Sequence, residues 1–148
     1  MKLRVRINGA DHELEARTDE SILDVVRREL GLLSVRETCG IGVCGACTVL
    51  LDGEPVSGCL LLAPLADGRE ITTVEGLGGD DPVQQAFSDA HAFQCGYCTP
   101  GMILTAKRLL EETPQLTEDD VRAAMSGNLC RCGSYVKIVE AVLQAANA

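Results

Sequence analysis

Eight cysteines carry most of the chemistry open to this chain, and they fall into two sets. The first set reads Cys39-Gly-Ile-Gly-Val-Cys44-Gly-Ala-Cys47, with Cys59 following a strand-like stretch and a turn. The spacing C-x4-C-x2-C plus a distant fourth cysteine is the plant-type pattern in which four thiolates hold a [2Fe–2S] cluster. A loop that wraps three sulfurs round one inorganic core must turn sharply. Gly40, Gly42 and Gly45 supply the backbone freedom and close approach this requires. Hydrogen bonds from its peptide N–H groups to sulfur favour the more negative, reduced cluster. A bulky residue at Gly45, between two ligands, is therefore expected to lose this cluster and no other.

The second set is Cys95-Gly-Tyr-Cys98 with Cys130-Arg-Cys132. Taken alone, a CxxC pair fits a redox dithiol, and the two pairs together fit a zinc ion. The cluster motif in the first half of the chain favours a second iron–sulfur site. His91 lies near Cys95 and raises the question of Rieske-type ligation, but four cysteines are already at hand. It reads as an ordinary surface or helix-end residue. Gly40, Gly42 and Gly45 also spell G-x-G-x-x-G, the dinucleotide fingerprint. That motif needs a strand before it and a helix opening after it. Here a helix-like segment precedes and a strand-like one follows.

The elements that must position these cysteines are legible from hydrophobic period. Leu3, Val5 and Ile7 alternate with Lys2, Arg4 and Arg6, a half-buried strand. Asn8-Gly9 is a hairpin signal, with His12 to Ala16 returning and His12 itself solvated. Ser21 caps a helix in capping-box fashion with Asp24, Ile22, Val25, Val26 and Leu30 form its apolar face, and Gly31 stops it. Strand-like Thr48–Leu51, the turn Asp52-Gly53, an apolar run at Leu60–Leu62 and a strand Ile71–Val74 follow. Two strands, a helix and further strands make the β-grasp order. The glycine- and acid-rich stretch Glu75–Asp81 reads as a linker.

After it the period becomes helical. Asp81-Pro82, Thr99-Pro100, Thr117 with Asp120, and Ser134 each mark a helix start. The fold class is thus α+β, with a β-grasp ferredoxin domain over residues 1–76 and a four-helix-bundle domain over 77–148. Each pair of the second cysteine set directly precedes a helix start. The positive ends of two helix dipoles would then face one anionic cluster.

Composition bounds the alternatives. Aromatic residues make up 3% of the 148 residues and Trp is absent, so two small aliphatic cores must be stapled by something else. The charge-alternating N-terminus is unlike a signal peptide, Arg27-Arg28 lies inside a helical pattern, and no stretch reaches the length of a membrane span. A cytoplasmic location with reduced thiols follows as the expectation, so clustered cysteines point to metal and not to disulfides. The formal net charge is −9. Two oxidised clusters would carry it to roughly −13, which excludes nucleic acid as a partner.

Along nearly its whole length the sequence resembles the iron–sulfur subunit of the molybdenum hydroxylases, the xanthine oxidase, aldehyde oxidoreductase and carbon monoxide dehydrogenase type. Cys39-Gly-Ile-Gly-Val-Cys-Gly-Ala-Cys-Thr-Val-Leu-Leu-Asp-Gly53, Phe93-Gln-Cys-Gly-Tyr-Cys-Thr-Pro-Gly-Met102 and Gly127-Asn-Leu-Cys-Arg-Cys132 carry the resemblance. It implies that Cys39, Cys44, Cys47 and Cys59 ligate the ferredoxin-type [2Fe–2S] cluster. Cys95, Cys98, Cys130 and Cys132 would ligate a second one beside the molybdenum site. It implies further that Gln94 and Cys132 lie against the molybdopterin cofactor of a large partner subunit. Tyr97, Pro100, Gly101, Met102 and Gly133 are then expected to share that interface. The family's usual Cys-Arg-Cys-Thr-Gly-Tyr appears as Cys130-Arg-Cys-Gly-Ser-Tyr135, with the glycine moved one place.

The implied function is electron transfer from the molybdenum centre through both clusters to FAD, in a further subunit, or to another acceptor. No general base, molybdenum ligand or flavin site is found in the chain itself. A free-standing ferredoxin would need only the first half, and a zinc-stapled interaction module would be colourless. Substrate choice belongs to the large subunit.

Overall fold

Alternate side chains of the first strand decide which way the sheet faces. In β1 (Lys2–Ile7), Leu3, Val5 and Ile7 are buried while Lys2, Arg4 and Arg6 are exposed, so one face seeks a core. Asn8 and Gly9 both take positive φ, 51° and 82°, which a tight two-residue turn demands. β2 (Ala10–Glu15) returns antiparallel, with Leu14 opposite Leu3. The computed structural model describes all residues, 1–148.

α1 (Ile22–Leu30) buries Ile22, Leu23, Val25 and Val26. The Ser21 hydroxyl accepts the Asp24 N–H at 3.2 Å, and Gly31 closes the helix at φ 64°. The capping is one-sided: the Asp24 carboxylate takes the Ser21 hydroxyl proton at 2.7 Å, not the Ser21 backbone N–H. β3 (Thr48–Leu51), β4 (Glu54–Ser57), α2 (Ala63–Ala66) and β5 (Glu70–Thr72) complete a five-stranded sheet of order β2-β1-β5-β3-β4. β5 runs parallel to β1 and antiparallel to β3.

The last strand of this half is shorter than expected, and two further elements carry no sequence signal. β4 went unread because Pro55 breaks its strand signal, and it is tolerated there because β4 is an edge strand. The apolar run Leu60–Leu62 makes one bridge, from Leu62 to Ser21, and then α2 begins. The last strand stops at Thr72, because Thr73 turns fully inward to exchange hydrogen bonds with the Asn8 side chain at 2.8 and 2.9 Å. Val74–Leu77 then form a 3-10 turn, and Glu75 accepts hydrogen bonds from Ser34 and Thr73. The glycine-rich segment is therefore tied at its start to the sheet and at its end to the helix that follows, where the Gly79 N–H donates to Gln84 Oε1 at 2.9 Å and Gly79 O accepts from Gln85 Nε2 at 3.0 Å.

The helical starts lie where the sequence puts them. Asp81 and Gln84 form a capping box on α3 (Pro82–Asp89), and Thr117 with Asp120 forms one on α5 (Glu118–Met125). α4 (Thr99–Glu112) and α6 (Tyr135–Ala146) begin directly after cysteine pairs. α3 packs on α4 and α6, and α5 packs on α4 and α6. Two apolar cores result, one round Leu3, Ile22, Val49 and Ile71, the other round Phe87, Met102, Met125 and Ile138. α4 also packs on β3, and Arg108 of α4 forms an ion pair with Glu54 of β4, so the halves are in firm contact. No helix is long and apolar enough to cross a membrane.

Candidate metal centres

The first cysteine loop bends through three left-handed glycines, Gly40, Gly42 and Gly45, at φ 67°, 77° and 73°. The bends aim peptide N–H groups at sulfur. Ile41 and Val43 both donate to Cys39 Sγ at 3.4 Å, Ala46 to Cys44 Sγ at 3.5 Å, and Cys59 to Cys47 Sγ at 3.3 Å. Those donors bring the half-buried Cys39 thiol down to about 6, whereas burial pushes Cys47 up to about 11. No helix opens after these glycines, since β3 follows, and the nucleotide reading of G-x-G-x-x-G has no structural support.

The second set assembles at two helix starts. Tyr97 N–H donates to Cys95 Sγ at 3.4 Å and Ser134 N–H to Cys130 Sγ at 3.4 Å. The Tyr97 N–H is the main cause that lowers Cys95. For Cys130, burial opposes ionisation, yet the N–H groups of Ser134, Gly133 and Cys132 outweigh it and the thiol is lowered. Burial pushes Cys98 up to about 12. Ser134 holds the N-cap position of α6 as expected, but its side chain caps nothing, and Cys98 does the same for α4. The buried hydroxyls of Ser134 and Thr99 have no partner in the chain. Uncapped first turns, unpartnered hydroxyls and a lowered thiol together suit an anionic group.

All eight cysteines are free thiols. Within each set the thiols lie near enough to shift one another's ionisation: Cys44 acts on Cys39, Cys59 and Cys44 on Cys47, Cys132 and Cys130 on Cys95, and Cys130 and Cys95 on Cys98. Four neighbouring thiols per set match a two-iron core held by four thiolates. His91 is exposed at φ 50° just beyond α3, a helix-end residue.

Between the sets lies a cleft of ≈ 470 Å³ lined by Cys44, Ala46, Cys95, Cys98, Leu129 and Cys130, among others. The Cys44 carbonyl accepts the Leu129 N–H at 2.8 Å, so one hydrogen bond joins a residue of the first set to the neighbour of Cys130. Beside it, buried Asn128 donates to Gly45 O at 3.2 Å and accepts from Thr105 Oγ1 at 3.0 Å. Sequence reasoning gave Asn128 no role. A polar residue set between glycine and leucine in a cysteine motif was the available signal. A second, shallow groove on the outer sheet face is lined by Arg4, Arg6, Arg69 and half-buried His12. All three arginines are already paired with carboxylates.

Gln94 is exposed, and its Nε2 donates to the Cys132 carbonyl at 3.4 Å. The neighbouring surface differs from expectation. Gly101 and Met102 are buried, Met102 in the helical core. Tyr97 keeps one exposed face but spends its other contacts on the first half of the chain. The exposed apolar residues here are Phe93, Tyr97, Leu129 and Val136.

This fold and donor set define a two-cluster iron–sulfur protein. Residues 5–73 match the family described as "2Fe-2S iron-sulfur cluster binding domain", and residues 73–143 the one described as "[2Fe-2S] binding domain". The chain is 48% identical to the nicotinate dehydrogenase small FeS subunit of Eubacterium barkeri, over 95% of this chain and 91% of that one. It is 45% identical to the xanthine dehydrogenase iron-sulfur-binding subunit of Escherichia coli O157:H7, over 93% and 89%. The crystal structure of quinoline 2-oxidoreductase from Pseudomonas putida 86 superposes with a TM-score of 0.95 at 42% identity, covering 100% of this chain and 94% of that one. The chain belongs to the iron–sulfur small subunits of the molybdenum hydroxylase family. It is an electron-transfer subunit of an oxidoreductase whose substrate chemistry lies in a partner.

Proposed function

We propose that electrons enter this subunit at the helical half, from a molybdopterin-bearing large subunit, and leave from the ferredoxin-like half to FAD or another acceptor. The grouping of the eight thiols into two sets of four carries this reading. Each bound [2Fe–2S] cluster takes up and releases one electron. Cys39, Cys44, Cys47 and Cys59 would hold one, and Cys95, Cys98, Cys130 and Cys132 the other. Residues 1–76 serve as a β-grasp ferredoxin domain and 77–148 as a small four-helix bundle, in the cytoplasm. Relatives named for nicotinate, xanthine and aldehydes keep 42–48% identity to this chain, which supports substrate choice in the partner. An FAD-binding chain is the acceptor we favour.

Anaerobically purified protein is expected to contain about four iron and four acid-labile sulfide per chain. Two iron, or one zinc, would defeat the assignment of both cysteine sets.

Gln94 is the residue we assign to the pterin, together with Cys132. Its amide is held over the last cysteine by the Cys132 carbonyl, and it stands free on the surface. Gln94→Ala is expected to leave both clusters intact and to slow cluster reduction by the partner. The loss of one hydrogen bond, about 1 kcal/mol, corresponds to roughly fivefold in rate. Rapid-reaction spectroscopy of the reconstituted complex after substrate addition measures it. An unchanged rate removes Gln94 from the path.

A further inference from the structure

The loop Cys95–Cys98 belongs to the helical half, yet a side chain from the first half holds it. Arg36 Nη1 donates to Gly96 O at 2.7 Å and to Tyr97 O at 2.9 Å. The guanidinium also stacks over the Tyr97 ring, 5.0 Å from its centroid, and the Tyr97 hydroxyl donates to Glu37 O at 2.6 Å. Arg36 is itself anchored in the first cysteine loop, where its N–H donates to Ala46 O at 3.3 Å.

One peptide makes this grip chemically consequential. Gly96 O and Tyr97 N–H are the two ends of the same planar trans amide, so they point in opposite directions. Arg36 takes the oxygen end, and Cys95 Sγ receives the hydrogen end at 3.4 Å. A charge-assisted hydrogen bond at the carbonyl polarises the amide and strengthens what its N–H donates. Gly96 at φ 77° lets the amide take this orientation.

We propose that Arg36 is a positioning residue for the cluster of the opposite half, clamping the Gly96–Tyr97 amide so that its N–H is directed at the Cys95 thiolate. The inference rests on the reading that Cys95 is a ligand of that cluster. Reduction adds negative charge to the cluster, and an oriented N–H with a cation behind it favours that state. Arg36 therefore raises the reduction potential of the helical-half cluster. Arginine suits the task because one nitrogen, Nη1, reaches both carbonyls while the guanidinium stays over an aromatic ring.

The test is a redox titration of the assembled complex, followed by electron paramagnetic resonance of both clusters. Arg36→Gln is expected to disfavour reduction of the helical-half cluster about tenfold, about 59 mV for one electron, and to shift its g-values. The ferredoxin-type cluster should keep its potential and its signal. Arg36→Lys keeps the charge without the planar guanidinium and is expected to recover part of the shift. It also carries the measurement should the glutamine variant not assemble. Tyr97→Phe removes the hydroxyl contact but keeps ring and amide, and should leave the potential where it was. An unchanged helical-half potential in both Arg36 variants overturns the proposal, as does an equal shift in both clusters. If the unsubstituted complex shows one cluster signal only, the ligand assignment fails and not the clamp.

Discussion

Gly45→Val is expected to lose the ferredoxin-type cluster and to disturb the helical-half cluster as well. Spacing alone points to the first loss only, since Gly45 lies between Cys44 and Cys47. The fold adds a second cause. A β-carbon on Gly45 would sit 2.6 Å from the Gly127 carbonyl oxygen and 2.6 Å from Asn128 Nδ2. Those atoms belong to the segment that leads into Cys130, and a backbone carbonyl has no rotamer by which to retreat. The residue also needs φ 73°, where a β-branched side chain is a rare outlier.

Left-handed strain of about 1–2 kcal/mol and overpacking of about 1–3 kcal/mol together make roughly 2–5 kcal/mol. That is a large share of the stability of a small domain. Gly40→Ala is the control. Its φ is 67°, yet nothing lies within 4 Å of the added carbon, so only the strain of about 1 kcal/mol remains. Iron content and the thermal midpoint of the purified complex report both. A Gly45→Val protein with full iron and an unshifted midpoint would show that the halves do not meet at this glycine.

Asn128→Leu is the second large effect. The side chain is 4% exposed and joins three elements: it donates to Gly45 O at 3.2 Å and Thr48 Oγ1 at 3.4 Å, and accepts from Thr105 Oγ1 at 3.0 Å. Leucine has the same branched outline, but its methyl groups are bulkier than the amide and make none of these bonds. Gly45 O keeps the Thr48 N–H and hydroxyl, whereas the Thr105 hydroxyl is left without its acceptor. Loss of the bonds and one stranded hydroxyl should cost about 2–4 kcal/mol.

The loss falls where it matters for electron flow, because the next residue supplies the N–H that bonds the Cys44 carbonyl. Asn128→Leu is therefore expected to lower the thermal midpoint and to slow electron passage between the two clusters, with all four iron atoms retained. Unfolding of the complex and single-turnover reduction of each cluster measure the two effects. An unchanged midpoint would mean that these bonds hold nothing together.

What the chain alone determined was everything set by local spacing. Cysteine intervals declare a cluster loop because three thiolates must reach one small core within nine residues. The helix starts at Asp81 and Thr117 were legible because N-caps act within a turn, and the alternation in Lys2–Ile7 because a strand buries every second side chain. Pro55 hid β4, since its place on a sheet edge is a tertiary fact. The same limit hid the roles of Gly45, Arg36 and Asn128. Gly45 lies 82 or 83 positions from the atoms it would strike, Arg36 reaches 60 and 61 residues along the chain, and Asn128 reaches back 83. No local pattern records such a meeting. Only folding the sheet against α4 brings the two cysteine loops together, and that packing decided which residues join the two halves.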